Sequence, residues 1–87
     1  MAEAAGSAAS EGLLKEEAER VWELVRTGVI RQIHFRKDRR MAVLELECAD
    51  EKEAERVLSS LPLVRKKRIR FDVIPLVPYD GFMRLFG

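Results

Sequence analysis

Val29-Ile30-Arg31-Gln32-Ile33-His34-Phe35-Arg36 and Met41-Ala42-Val43-Leu44-Glu45-Leu46-Glu47-Cys48 flank the polar loop Lys37-Asp38-Arg39-Arg40. Both runs are rich in branched and aromatic residues, the pattern of two strands joined as a hairpin. If Arg36 pairs with Met41, the faces sort. Val29, Arg31, Ile33 and Phe35 meet Ala42, Leu44, Leu46 and Cys48 on one side, which should lie under helices. Ile30, Gln32, His34 and Arg36 meet Met41, Val43, Glu45 and Glu47 on the other, facing water or a lined cavity. A slip of one residue would scramble both.

On the N-terminal side, Leu14, Ala18, Val21, Trp22 and Val25 follow helical spacing and predict an amphipathic helix over residues 13–27 with Trp22 in its core-facing stripe. Gly28 ends it, since glycine accepts the left-handed conformation after a last helical turn. Residues 1–12 are Ala, Gly, Ser and Glu without periodicity and read as a flexible tail. On the C-terminal side, Asp50-Glu51-Lys52-Glu53 has the form of a capping box and opens a helix over 51–60. Ala54, Val57, Leu58 and Leu61 form its buried stripe, and Pro62 closes it. The basic run Arg65–Arg68 leads into a strand, Ile69 to Leu76, bounded by prolines. Residues 79–87 hold three aromatics and two long aliphatics, and a free tail of that kind would expose apolar surface. We expect it to dock on a partner subunit.

At 87 residues the chain has room for one domain, placed here at 13–78. The formal net charge is +1, with residues 1–30 at −3 and 31–87 at +4, short of the bias of a dedicated nucleic-acid binder. The run Arg65–Arg70 is the only feature that favours RNA, and the strand aromatics Phe35 and Phe71 are too few for a stacking platform. A single cysteine and a single histidine exclude an internal disulfide and a His-based metal site. We expect no metal, no cofactor, no membrane span and a cytoplasmic location.

The order helix–strand–strand–helix–strand is a ferredoxin-like α+β unit, βαββαβ, without its first strand. Leu58-Ser59-Ser60-Leu61-Pro62-Leu63, then Phe71-Asp72-Val73-Ile74-Pro75-Leu76, resembles the end of muconolactone isomerase-type proteins. Val21-Trp22-Glu23-Leu24 through Gly28-Val29-Ile30-Arg31 is similar to bacterial relatives of that family. The resemblance spans about residues 13–86 and implies a dimeric α/β barrel, in which two sheets enclose a cavity and C-terminal segments cross between subunits. It departs from the family at the start, where a hydrophobic first strand should stand. In the order 4-1-3-2 that strand is central, so its slot needs a start further upstream, a partner chain, or closure of the last strand on Met41–Cys48. A shortened N-terminus is the expectation.

An isomerase of this type moves a proton between carbons near a carbonyl, which takes a base, an acid and a group that stabilises an enolate. On the mixed face, His34 and Glu45 are the catalytic candidates, an imidazole for proton exchange near neutral pH and a carboxylate to orient it or act as base. Arg36, Gln32 and Tyr79 are the substrate-binding candidates: a guanidinium for a carboxylate or oxyanion, an amide opposite Glu45, and a phenol where the last strand ends. A lone His–Glu pair is a weak signal, and a solvated or dimer-buried sheet with structural hydrogen bonds is the stronger reading of the same face. The expected partners are a second copy, in a homodimer or higher homo-oligomer, and a small organic acid or lactone. A non-catalytic dimerising module is the alternative. Cys48 reads as an inert thiol.

Overall fold

The computed structural model describes residues 2–6 and 10–87. Its elements run β1 (Ala2–Gly6), α1 (Glu11–Arg26), β2 (Ile30–Phe35), β3 (Ala42–Leu46), α2 (Glu51–Ser59), α3 (Pro62–Arg65) and β4 (Ile69–Val73), followed by a 3-10 turn at Gly81–Leu85. The chain is a mixed α+β domain. Its strands form one antiparallel sheet in the order β2-β3-β1-β4.

The vacant central slot is the first expectation to be corrected. β1 occupies it, with Ala2 opposite Leu44 on one side and residues 2–6 opposite Val73 back to Ile69 on the other. The flexible tail expected at 1–12 is corrected where the structure describes it, since residues 2–6 are strand and Ser10 caps α1, its hydroxyl accepting from Leu13 N–H at 3.3 Å, whereas residues 1 and 7–9 of that expectation lie outside the described residues. A strand flanked on both sides is held by its backbone ladder, which any non-proline sequence supplies. Hydrophobic patterning therefore gave no sign of it.

The hairpin keeps the expected register from Arg36 to Gln32. Arg36 N–H donates to Met41 C=O at 2.9 Å, Ile33 stands opposite Leu44 and Gln32 opposite Glu45. The ladder then shifts, and Ile30 faces Leu46 instead of Glu47. An extra residue at Arg31 reverses the side-chain alternation. Ile30, expected on the mixed face, is consequently buried in the core at 2% exposure.

That core lies between the sheet and the helices: Leu24, Ile30, Leu44, Leu58 and Leu61 at its centre, with Val21, Val25, Leu46, Val57, Val64, Phe71 and Val73 around them. The buried side of α1 is turned about one residue from the expected stripe. Leu24 is buried and Leu13, Glu17, Arg20 and Val21 are half-buried, while Trp22 is 65% exposed and Leu14 and Ala18 also face out. Two polar contacts hold this orientation. Arg20 Nε donates to Ser60 Oγ at 3.0 Å, and Leu63 N–H donates to Glu17 Oε1 at 3.0 Å.

The helix ends follow the expected chemistry. Gly28 takes φ +85° after α1. Asp50 Oδ1 accepts from Glu53 N–H at 2.8 Å, while Glu53 Oε2 reaches back to Ala49 N–H at 3.2 Å. Pro62 opens a further short helix rather than only closing α2, in keeping with proline's fit to a first helical position. No helix of the described residues is long and apolar enough to cross a membrane.

Candidate functional site

The helices cover one side of the sheet, and the side chains that alternate with the core point to the other. From β2 and β3 these are Gln32, His34, Val43 and Glu45, and β4 adds Arg70 and Asp72. Val43 is half-buried and the rest are exposed. An uncovered face with an apolar centre and titratable groups around it is the most distinctive surface of the chain.

Three of the five candidate residues meet on it. Gln32 and Glu45 are direct cross-strand partners, and His34, across from Val43, is diagonal to Glu45. Directly opposed residues have Cβ atoms about 4.5–5.5 Å apart and diagonal ones about 7–8 Å, within reach of an imidazole and a carboxylate joined by water or substrate. Among the described residues, no hydrogen bond or ion pair links His34 to Glu45 within one chain.

Arg36 continues the same alternation at the end of β2, but its guanidinium is engaged. Its Nε donates to Asp38 Oδ1 at 2.9 Å and its Nη2 to Asp38 Oδ2 at 2.6 Å. That bidentate pair clasps the loop and holds the Asp38 carboxyl below its ordinary value. Arg36 is thus first a loop clamp, and binding an anion with it means sharing it with Asp38.

Tyr79 is not brought to the strand residues. It lies beyond β4, its ring edge-on to Phe82 with centroids 4.9 Å apart, over the place where a Cβ of residue 81 would stand. Tyr79, Phe82, Met83, Leu85 and Phe86 are all largely exposed.

Two grooves open on the helix side, away from all five candidates. One, of about 340 Å³, lies where Leu46, Cys48 and Ala54 meet Val73, Ile74 and Leu76. The other, of about 480 Å³, runs between α2 and β4 past Leu58, Val64, Phe71 and Val73. Burial pushes the Cys48 thiol up, and the carboxylates of Glu53, Glu47 and Asp50 push it further, so it stays protonated and a poor nucleophile. The described residues form no group of three or more His, Cys, Asp or Glu able to hold a metal ion.

The basic run is divided among a helix end at Arg65, a turn at Lys66–Arg68, and Arg70 on the open face. Phe35 points to the helix side, as its register with Ala42 requires, yet it is 58% exposed. The Arg40 guanidinium covers it instead, 4.3 Å from the ring centre.

Sequence reasoning read Arg70 only as part of the basic run and passed over Asp72, although their alternation with Ile69, Phe71 and Val73 was a period-2 signal. Glu17 and Arg20 were also missed, being charged residues at core-facing helical positions. No protein-family model matches the chain, and no curated protein matches it at a significant level.

Proposed function

We propose that the chain is one half of a homodimeric α/β barrel of ferredoxin-like subunits, whose facing sheets enclose a site for a small organic acid or lactone of the muconolactone type. One observation carries this reading. Among the described residues the sheet has a helix layer on one side and none on the other, and the bare side combines half-buried Val43 with Gln32, His34 and Glu45. The βαββαβ order with sheet order β2-β3-β1-β4 supports the ferredoxin-like assignment.

Packing two such faces about 10 Å apart removes Val43 from water and leaves a hollow lined by polar groups. Exclusion of bulk water strengthens the electrostatic interactions inside, which an open face cannot achieve. His34 is the proton carrier. Its imidazole takes a proton from a carbon next to the carbonyl system, the C–H electron pair shifts into the conjugated enolate, and the proton returns at the far carbon. Glu45 orients the imidazole, Gln32 hydrogen-bonds the substrate, and Arg36, shared with Asp38, offsets the developing negative charge. The reaction is redox-neutral and draws on no cofactor. The C-terminal segment 79–87, with its exposed aromatics, docks on the partner subunit and closes the end of the hollow.

The test is turnover and binding of muconolactone by the full chain and by His34→Ala and Glu45→Gln. Loss of at least a hundredfold in kcat for His34→Ala, with the particle mass unchanged, is the expected result. Binding without turnover in every form selects the non-catalytic alternative, and neither binding nor turnover rejects the proposal.

A further inference from the structure

β4 is an edge of the sheet: β1 pairs with it on one side, and no strand of the described residues lies beyond it on the other. An edge strand presents backbone donors and acceptors to any chain that can lie alongside. What can lie alongside this one is written in its side chains. Ile69-Arg70-Phe71-Asp72-Val73 reads outward from Phe71 as acid and base, then apolar and apolar. Turned antiparallel about a two-fold axis through Phe71, a second copy sets its own Asp72 against Arg70 and its Arg70 against Asp72. Ile69 then meets Val73 twice, and Phe71 meets Phe71.

We propose that β4 is a self-complementary edge that pairs antiparallel with β4 of a second copy, joining two four-stranded sheets into one of eight strands. This contact is separate from the facing-sheet contact and does not need it.

Three features fix the occupant and the register. Arg70 and Asp72 are both exposed, and neither has an ion-pair partner among the described residues, so two reciprocal pairs form without breaking any. Opposite charges directly across a strand pair favour it and like charges oppose it. Moving the axis to Arg70 or to Asp72 places like charges opposite each other, and a one-residue slip sends the apolar set to the wrong face.

The ends of the pairing are also bounded. Lys67, at φ +57°, turns the chain into β4, and Pro75 cannot donate to a ladder beyond it. The groove between α2 and β4 lies on the helix side of this edge, with Phe71 and Val73 in its wall, so the partner's Phe71 comes to rest at its mouth. The same two charges discourage pairing with a strand that sets like charges opposite them.

Charge exchange in the full chain tests this by native mass spectrometry. Arg70→Asp alone places acid against acid, and Asp72→Arg alone places base against base. Each is expected to weaken the association at least tenfold. An equimolar mixture of the two, and the double exchange in one chain, are expected to restore it. Because both residues also lie on the open face, amide hydrogen exchange of the unsubstituted chain supplies a second readout. The amides of Ile69–Val73 that point away from β1 should gain protection as concentration rises, whereas packing through the sheet face leaves their hydrogen bonding unaltered. Single variants that associate as tightly as the original chain, a mixture that does not recover, or β4 exchange independent of concentration would each overturn the proposal. The exchange measurement decides the matter even if a variant does not fold.

Discussion

Glu17 is a charged residue in a place where the helical pattern calls for an apolar one. It sits on the inner side of α1 because its carboxylate accepts the Leu63 N–H, a donor in the first turn of α3 that has no partner within its own helix. Burial raises its pKa and the backbone hydrogen bond opposes the rise. With the folded value above the unfolded one, the folded chain holds the proton more tightly. The stability from this group is therefore fully present at low pH and is lost as pH rises through the range just above the ordinary carboxylate value. Glu17→Gln keeps an acceptor and removes the titration. Denaturant unfolding between pH 4 and 8 should show the original chain losing stability relative to Glu17→Gln as pH rises through that range. Glu17→Ala should lose about 1 kcal/mol at neutral pH, as for a removed helix cap. A difference between the original chain and Glu17→Gln that does not change with pH would contradict this. The same residue explains why the inner face of α1 was misread. Apolar spacing selects Leu14, Ala18 and Trp22, and only the partners of Glu17 and Arg20, 46 and 40 residues away, turn the helix the other way.

At the level of elements, capping and turn chemistry was legible because it is local. Gly28 and the Asp50–Glu53 box act within four residues of themselves. β1 was not legible, because its evidence is the pair of strands on either side. The bulge at Arg31 was not legible either, since alternation in Val29–Arg36 gives no sign of where a ladder slips, and it alone carries Ile30 into the core. Lys67 is a further case that only the backbone reveals. It is the one described non-glycine residue with positive φ, between Lys67 N–H donating to Val64 C=O at 3.0 Å and Arg68 N–H donating to Leu63 C=O at 2.8 Å. A left-handed backbone costs an L-residue roughly 1–2 kcal/mol, part of which glycine recovers after its larger unfolded-state entropy. Lys67→Gly should raise stability by up to about 1 kcal/mol in thermal or denaturant unfolding. A loss of 1 kcal/mol or more would show that the turn is not strained.

At the scale of the molecule, the described residues give the sheet one dressed side and one bare side, and the chain measures 55 × 28 × 21 Å with a radius of gyration of 14.9 Å. A compact chain of this length would have a radius of about 12 Å. The excess agrees with a C-terminal segment whose aromatics have little of the same chain to pack against. The two-sided nature of the sheet was legible in the alternation from Gln32 to Glu45, and so was the meeting of His34, Gln32 and Glu45 on one side. The engagement of Arg36 with Asp38 and the separation of Tyr79 were not, because both depend on how the chain turns outside the strands. His34 is the sole histidine and stands exposed on the bare face of a single chain, which makes it a built-in reporter of enclosure. The decisive measurement is its rate of carbethoxylation by diethyl pyrocarbonate in the full chain as a function of protein concentration. Enclosure between facing sheets requires that rate to fall at least tenfold below that of free imidazole as the dimer forms, and a rate equal to free imidazole at every concentration would contradict it.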